Sequence, residues 1–159
     1  MQYSGNFHAV IAGEFYGLAQ PSALEPEEWV SAYGLRSIVN LRCASGGGWY
    51  RDEAAVADRL AVHHVDFAMR GNMMLKADRA VELIDLLRNL FRSILIHCST
   101  RTDRTELAAA LYLADLGLPE DEAEDQISFR YGDACLPGSA AWSMDLSWEA
   151  LEPLFHLNS

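Results

Sequence analysis

Two rhythms of apolar and polar positions alternate along the chain. Short apolar runs bounded by glycine or charged residues fall at 7–12, 15–19, 36–41, 62–69 and 94–96, and their length and content predict strands. Helical spacing fills the gaps. Leu24, Trp29 and Val30 recur on a segment that Ser22 can cap and Gly34 can end. A turn at Gly46-Gly47-Gly48 leads into a helix from about 49 to 60, with Ala54, Ala55, Val56 and Leu60, and Val81, Leu83, Ile84, Leu87 and Leu90 predict another over 76–91. Farther on, Leu107 to Leu111 opens a helix stopping near Gly117-Leu118-Pro119, an amphipathic stretch covers 119–131, and a last helix covers 146–155 after the Pro137-Gly138-Ser139 loop. Residues 132–144 carry the weakest pattern. Strands alternating with helices predict an α/β fold with a central, mostly parallel sheet flanked by helices.

Composition narrows this picture. A chain of 159 residues with 50% hydrophobic content suits one domain over residues 1–159 with a proper core. A net charge of −11 repels nucleic acid and anionic membranes at long range, so neither is expected as a partner, and any phosphorylated ligand must be drawn in by local positive charge. No apolar run reaches membrane-spanning length, and Met1 to His8 lack the basic and apolar regions of a secretory signal. The three cysteines, Cys43, Cys98 and Cys135, have no metal-ligand spacing, and their odd number does not suggest a disulfide framework; a reducing cytoplasm is expected. His63 and His64 are adjacent strand residues that point to opposite faces, and no cysteine or carboxylate completes a metal site with them. No metal and no cofactor are expected.

The chemistry concentrates in residues 93–105. A buried strand ends at His97, Cys98 follows, Arg104 lies six positions later, and a helix begins. A loop between a strand and a helix N-terminus aims unpaired backbone N–H groups inward, and the helix dipole adds positive potential, so a tetrahedral anion binds there. The same field favours thiolate over thiol at Cys98, and the Arg104 guanidinium can grip two phosphate oxygens at once. A lone cysteine is more often an inert core residue. Here the arginine spacing and the preceding strand make Cys98 a candidate nucleophile. Ser99, Thr100, Arg101, Thr102, Asp103 and Arg104 are the candidate phosphate-binding residues, with His97, Thr105 and Arg42 in support.

His97-Cys98-Ser99-Thr100-Arg101-Thr102-Asp103-Arg104-Thr105 resembles the HCxxGxxR[ST] signature of the cysteine-dependent protein tyrosine and dual-specificity phosphatases. Ala19-Gln20-Pro21-Ser22, Ser37 to Arg42, Trp49-Tyr50 and Phe129-Arg130-Tyr131-Gly132 extend the likeness toward the small bacterial dual-specificity-like branch. The resemblance implies a single dual-specificity phosphatase-like domain that hydrolyses a phosphomonoester of a protein or small molecule through a phosphocysteine. Cys98 is then the nucleophile, Arg104 binds the transferring phosphoryl group, Thr105 can donate to the thiolate, and His97 orders the loop.

Two residues depart from the pattern: Arg101 and Glu106 stand where the family usually has glycine. The leaving group needs an acid. Asp66, 32 residues before Cys98, matches the family's separation but sits within a predicted strand; Asp103 lies in the loop itself and resembles the myotubularin-type arrangement. Both remain candidates. Arg42, ending Asn40-Leu41-Arg42, is expected at the carboxyl edge of its strand, with Asn40 bracing backbone. Trp142, Trp148 and Phe155 read as core packing. A catalytically weak phosphate-binding module is the main alternative function, and a rhodanese-like sulfur transferase is a third.

Overall fold

A computed structural model describes residues 8–18, 25–42, 46–70, 73–98, 103–127 and 140–156. The five expected strands are present: β1 (His8–Ile11), β2 (Phe15–Leu18), β3 (Ser37–Asn40), β4 (His63–Asp66) and β5 (Ile94–His97). They form one sheet in the order β1-β2-β5-β3-β4. Only the β1–β2 pair is antiparallel, and it has an irregularity between Ala9 and Ile11; β2, β5, β3 and β4 run parallel. Central parallel strands are buried on both faces, which is why Ile94-Leu95-Ile96 reads as a continuous apolar run rather than an alternation. The chain is α/β, with six helices among the described residues: α1 (Glu25–Tyr33), α2 (Gly48–Arg59), α3 (Ala77–Asn89), α4 (Asp103–Asp115), α5 (Glu120–Glu124) and α6 (Ala140–His156).

The chain divides into two compact units, one of residues 1–68 and 90–105, the other of residues 69–89 and 106–159. The first holds the sheet. Its core gathers Tyr16 and Leu18 of β2, Trp29 of α1, Leu35, Ile38 of β3, Ala57 of α2, Val62 and Leu95 of β5, with Val30, Tyr33 and Leu60 packed at the margin. Tyr16 and Tyr33 meet ring to ring at 5.0 Å. Gly34 ends α1 at φ +60, a left-handed conformation that glycine adopts without the Cβ penalty. Arg59 of α2 reaches Glu27 of α1 in a two-pronged ion pair at 2.8 and 3.0 Å, well exposed and therefore a minor contribution.

In the second unit, Ala80, Leu83, Ile84 and Leu87 form the buried stripe of α3 at helical spacing. Small residues make α4 buried all round from Leu107 to Tyr112, and Gly117 closes it at φ +81. Met144, Trp148 and Leu151 of α6 are buried, as expected for Trp148; the Trp142 and Phe155 side chains lie outside the described residues. Trp148 Nε1 donates to Glu124 of α5 at 3.2 Å, and the Ser147 hydroxyl accepts the Leu75 N–H at 2.8 Å while donating to the Ser143 carbonyl at 2.7 Å.

Three boundaries differ from expectation. The strand expected over 62–69 pairs only through Asp66, because β3, its sole neighbour, ends at Asn40 opposite it. Helix α5 stops at Glu124, against the expected 119–131, of which residues 128–131 lie outside the described residues. Helix α6 begins at Ala140, directly after the Pro-Gly-Ser punctuation, rather than at 146. No helix of the described residues is long and apolar enough to cross a membrane.

Candidate active site

Strand register sets the geometry. Asn40 pairs with His97 of β5 on one side and with Asp66 of β4 on the other, so the last residues of three neighbouring strands stand in a row at the carboxyl edge. This is the edge at which open parallel sheets bind ligands. Asp66 lies two strand spacings from His97, about 10 Å.

Cys98 is the next residue beyond β5, a thiol with no exposed surface. Five residues on, Asp103 opens α4, with Arg104 half-buried in its first turn and Thr105 buried beside it. Thr105 Oγ1 has no hydrogen-bond partner among the described residues. Strand, cysteine, helix and arginine thus lie where the sequence places them. Ser99, Thr100, Arg101 and Thr102, and the Asp103 side chain, lie outside the described residues. Cys43 and Cys135 do too. Glu106, expected near the helix start, is buried in α4.

Beneath this edge lies a carboxylate that the sequence reading did not single out. Glu53, delivered by α2, is 2% exposed, and its Oε1 lies 2.6 Å from His64 Nε2 and 2.9 Å from His97 Nε2. Burial pushes the Glu53 carboxyl up, but hydrogen bonds from His64 and His97, with their charge, outweigh it and bring the group down to about 2. For His64, burial pulls downward and is outweighed by the bond to Glu53 and the negative charge of Glu53 and Asp66, which leaves the imidazole above its ordinary value. The remaining polar atoms of the pair, Glu53 Oε2 and His97 Nδ1, are buried without a hydrogen-bond partner among the described residues. One signal was available in the sequence: Glu53 is four residues before Ala57, the other buried residue of α2, which puts a carboxylate on the helix's inward face.

A second network holds Asp66. Asn40, fully buried, donates from Nδ2 to Asp66 Oδ1 at 2.9 Å and accepts the Arg42 N–H on its Oδ1 at 2.9 Å. Asn40 therefore braces backbone, as expected, and also orients a candidate acid. The Tyr50 hydroxyl donates to the other Asp66 oxygen, and this bond, with slight burial and the charges of Asp66 and Glu53, raises the phenol above its ordinary value. The Tyr50 ring stands edge-on to His64, centroids 5.7 Å apart, which joins the two networks. Asp66 itself is exposed, because it is the terminal residue of its strand. Arg42 lies just past β3 with its guanidinium carbon 4.2 Å from the Trp49 ring centroid, a cation–π contact at the same edge. His63 is exposed and His64 half-buried, on opposite faces as strand parity requires.

No protein-family model and no curated protein matches the chain. Solved structures do. The core catalytic domain of the PP-IP phosphatase SIW14 from S. cerevisiae superposes with a TM-score of 0.69 at 15% identity, over 96% of this chain and 92% of that one. Tk-PTP gives 0.69 at 19% identity over 97% of both chains. P. aeruginosa TpbA, which has also been captured in complex with pTyr, gives 0.66 at 17% identity over 96% and 94%. With Cys98 and Arg104 at the junction of β5 and α4, the chain has the fold of the cysteine-dependent protein tyrosine and dual-specificity phosphatases.

Proposed function

We propose that this chain is a cysteine-dependent phosphatase, working as one domain, that hydrolyses a phosphomonoester through a phosphocysteine. The observation that carries this reading is the placement of Cys98 immediately after the central strand β5, with Arg104 in the first turn of α4, in a chain of this fold. The Cys98 thiolate attacks phosphorus in line; the S–P bond forms as the P–O bond to the leaving group breaks. Backbone N–H groups of residues 99–104 and the Arg104 guanidinium hold the equatorial oxygens. The departing oxygen takes a proton from a carboxylic acid. We infer that this acid is Asp66, supported by its exposure at the carboxyl edge in the row that His97 begins. Asp103 is the competing candidate. Water then attacks the phosphocysteine, loses its proton to the same carboxylate, and releases inorganic phosphate and the thiolate.

Substrates in this fold include a phosphotyrosine ligand for TpbA and a PP-IP for SIW14, so a phosphorylated protein side chain or a phosphorylated small molecule both suit the reading. A reactive free thiol suits a reducing, cytoplasmic setting. The test is hydrolysis of p-nitrophenyl phosphate, whose good leaving group needs no acid. Wild type should turn it over, and Cys98→Ser should abolish it. Equal rates in the two proteins would sink the enzyme reading and leave the phosphate-binding module, favoured by Arg101 and Glu106 in place of glycines. Formation of thiocyanate from thiosulfate and cyanide would instead point to sulfur transfer.

A further inference from the structure

The Glu53 network lies outside the chemistry just described, yet one of its members directly precedes the nucleophile. We propose that Glu53, anchored by His64, is a positioning residue that holds His97 and thereby the end of β5 from which Cys98 and its loop depart.

The geometry supports this in three ways. The carboxylate is almost fully buried and shares a single oxygen between two imidazole nitrogens, an arrangement that ties α2 and β4 to the last residue of β5. In its neutral form His97 must carry its proton on Nε2 to donate to Glu53, which leaves the buried Nδ1 as an acceptor in a residue adjacent to Cys98. Finally, a carboxylate buried to 2% exposure carries a desolvation cost, and the two histidine bonds are what offset it, so the unit is held together rather than loosely packed. The groups facing it are Tyr50 and Glu53 from α2, His64 and Asp66 from β4 and His97 from β5; Tyr50 links it to Asp66, the candidate acid. A burial-driven core contact needs none of these charges. A device that fixes one ring beside the nucleophile does.

The kinetic arm rests on the phosphatase reading; the thiol arm does not. Glu53→Gln keeps the shape and removes the charge. With p-nitrophenyl phosphate its kcat should fall roughly tenfold or more while KM changes little, the pattern of lost alignment rather than lost binding. In parallel, iodoacetamide labelling of the Cys98 peptide, followed by mass spectrometry across pH, should show the thiol's midpoint rising by about one unit, because His97 and the end of β5 are no longer held in place beside the thiolate. A purely structural Glu53 would lower thermal stability and leave both kcat and the midpoint unchanged, and that result overturns the proposal. A midpoint that drops overturns it as well, since removing a nearby negative charge alone has that sign. If wild type shows no Cys98-dependent turnover, the phosphatase reading fails and the labelling still decides for or against Glu53. Should Glu53→Gln not fold, His64→Gln replaces it: Glu53 loses its anchor, kcat with p-nitrophenyl phosphate should fall by a smaller factor with KM little changed, and an unmoved kcat counts against the proposal.

Discussion

Removing the charge of Glu53 should make the protein's stability less dependent on pH at the acidic end, by an amount that the structure lets one estimate. The Glu53 carboxyl is held at about 2 against an ordinary value of 4.5, a depression of about two and a half units. At 1.36 kcal/mol per unit, this corresponds to about 3 kcal/mol of stability, and with the side chain 2% exposed little is lost to solvent screening. The sign follows from the direction of the shift. A carboxyl with a lowered folded-state value contributes fully above 4.5 and loses its contribution as pH falls toward 2. By pH 3 only about 1 kcal/mol should remain. His64 works in the opposite direction: its raised value makes its contribution complete below about 6.5 and lost as pH climbs through the folded-state value. The pair is therefore strongest between roughly pH 4.5 and 6.5. Urea denaturation of wild type and Glu53→Gln, repeated from pH 3 to 8, measures this directly. The stability gap should be widest near pH 5 to 6 and narrow on both sides. A gap that stays constant from pH 3 to 6 would refute the reasoning, because it would mean that Glu53 contributes shape alone.

Two further outcomes follow from the neighbouring network. Asn40→Ala deprives the Arg42 N–H and an Asp66 oxygen of their partner at a buried position, and should cost about 1–3 kcal/mol in urea denaturation. Asp66→Asn should slow phenyl phosphate, a poor leaving group, by about 10²- to 10⁴-fold while leaving p-nitrophenyl phosphate nearly untouched; equal effects on the two substrates would move the acid role to Asp103, to be checked with Asp103→Asn.

Legibility in the sequence varied with how local the cause was. Ile94-Leu95-Ile96 announced a central strand because burial on both faces is written as an unbroken apolar run, and Gly34 and Gly117 marked helix ends because the backbone at both positions takes a left-handed turn that glycine adopts without a Cβ penalty. Cys98 and Arg104 were legible for the same reason: one short stretch supplies strand, loop and helix. Asp66 was harder to judge. Strand parity says that its side chain points sideways, but β3 ends opposite it at Asn40, and being last in its strand leaves it exposed at the edge. Glu53 could not be found by motif at all. Its partners come from β4 and β5, 11 and 44 residues away, and only the sheet order brings them to one oxygen. The start of α6 at Ala140 was not legible because residues 140–145 carry no clear helical period of apolar positions.

The parallel register of β5, β3 and β4 also governs where the chain can change. Everything with chemical potential, from Cys98 to Asp66, gathers at the strands' exits. At their entrances Phe91 stacks against His63 at 5.2 Å and under the Arg36 guanidinium at 5.0 Å, and the Ser37 hydroxyl donates to the Phe91 carbonyl at 2.8 Å. That end is a clasp made of one exposed aromatic ring and three polar neighbours. Insertions, labels or fused partners belong there, four residues of strand away from Cys98, whereas each residue added after Asn40, Asp66 or His97 alters the edge at which the proposed chemistry takes place.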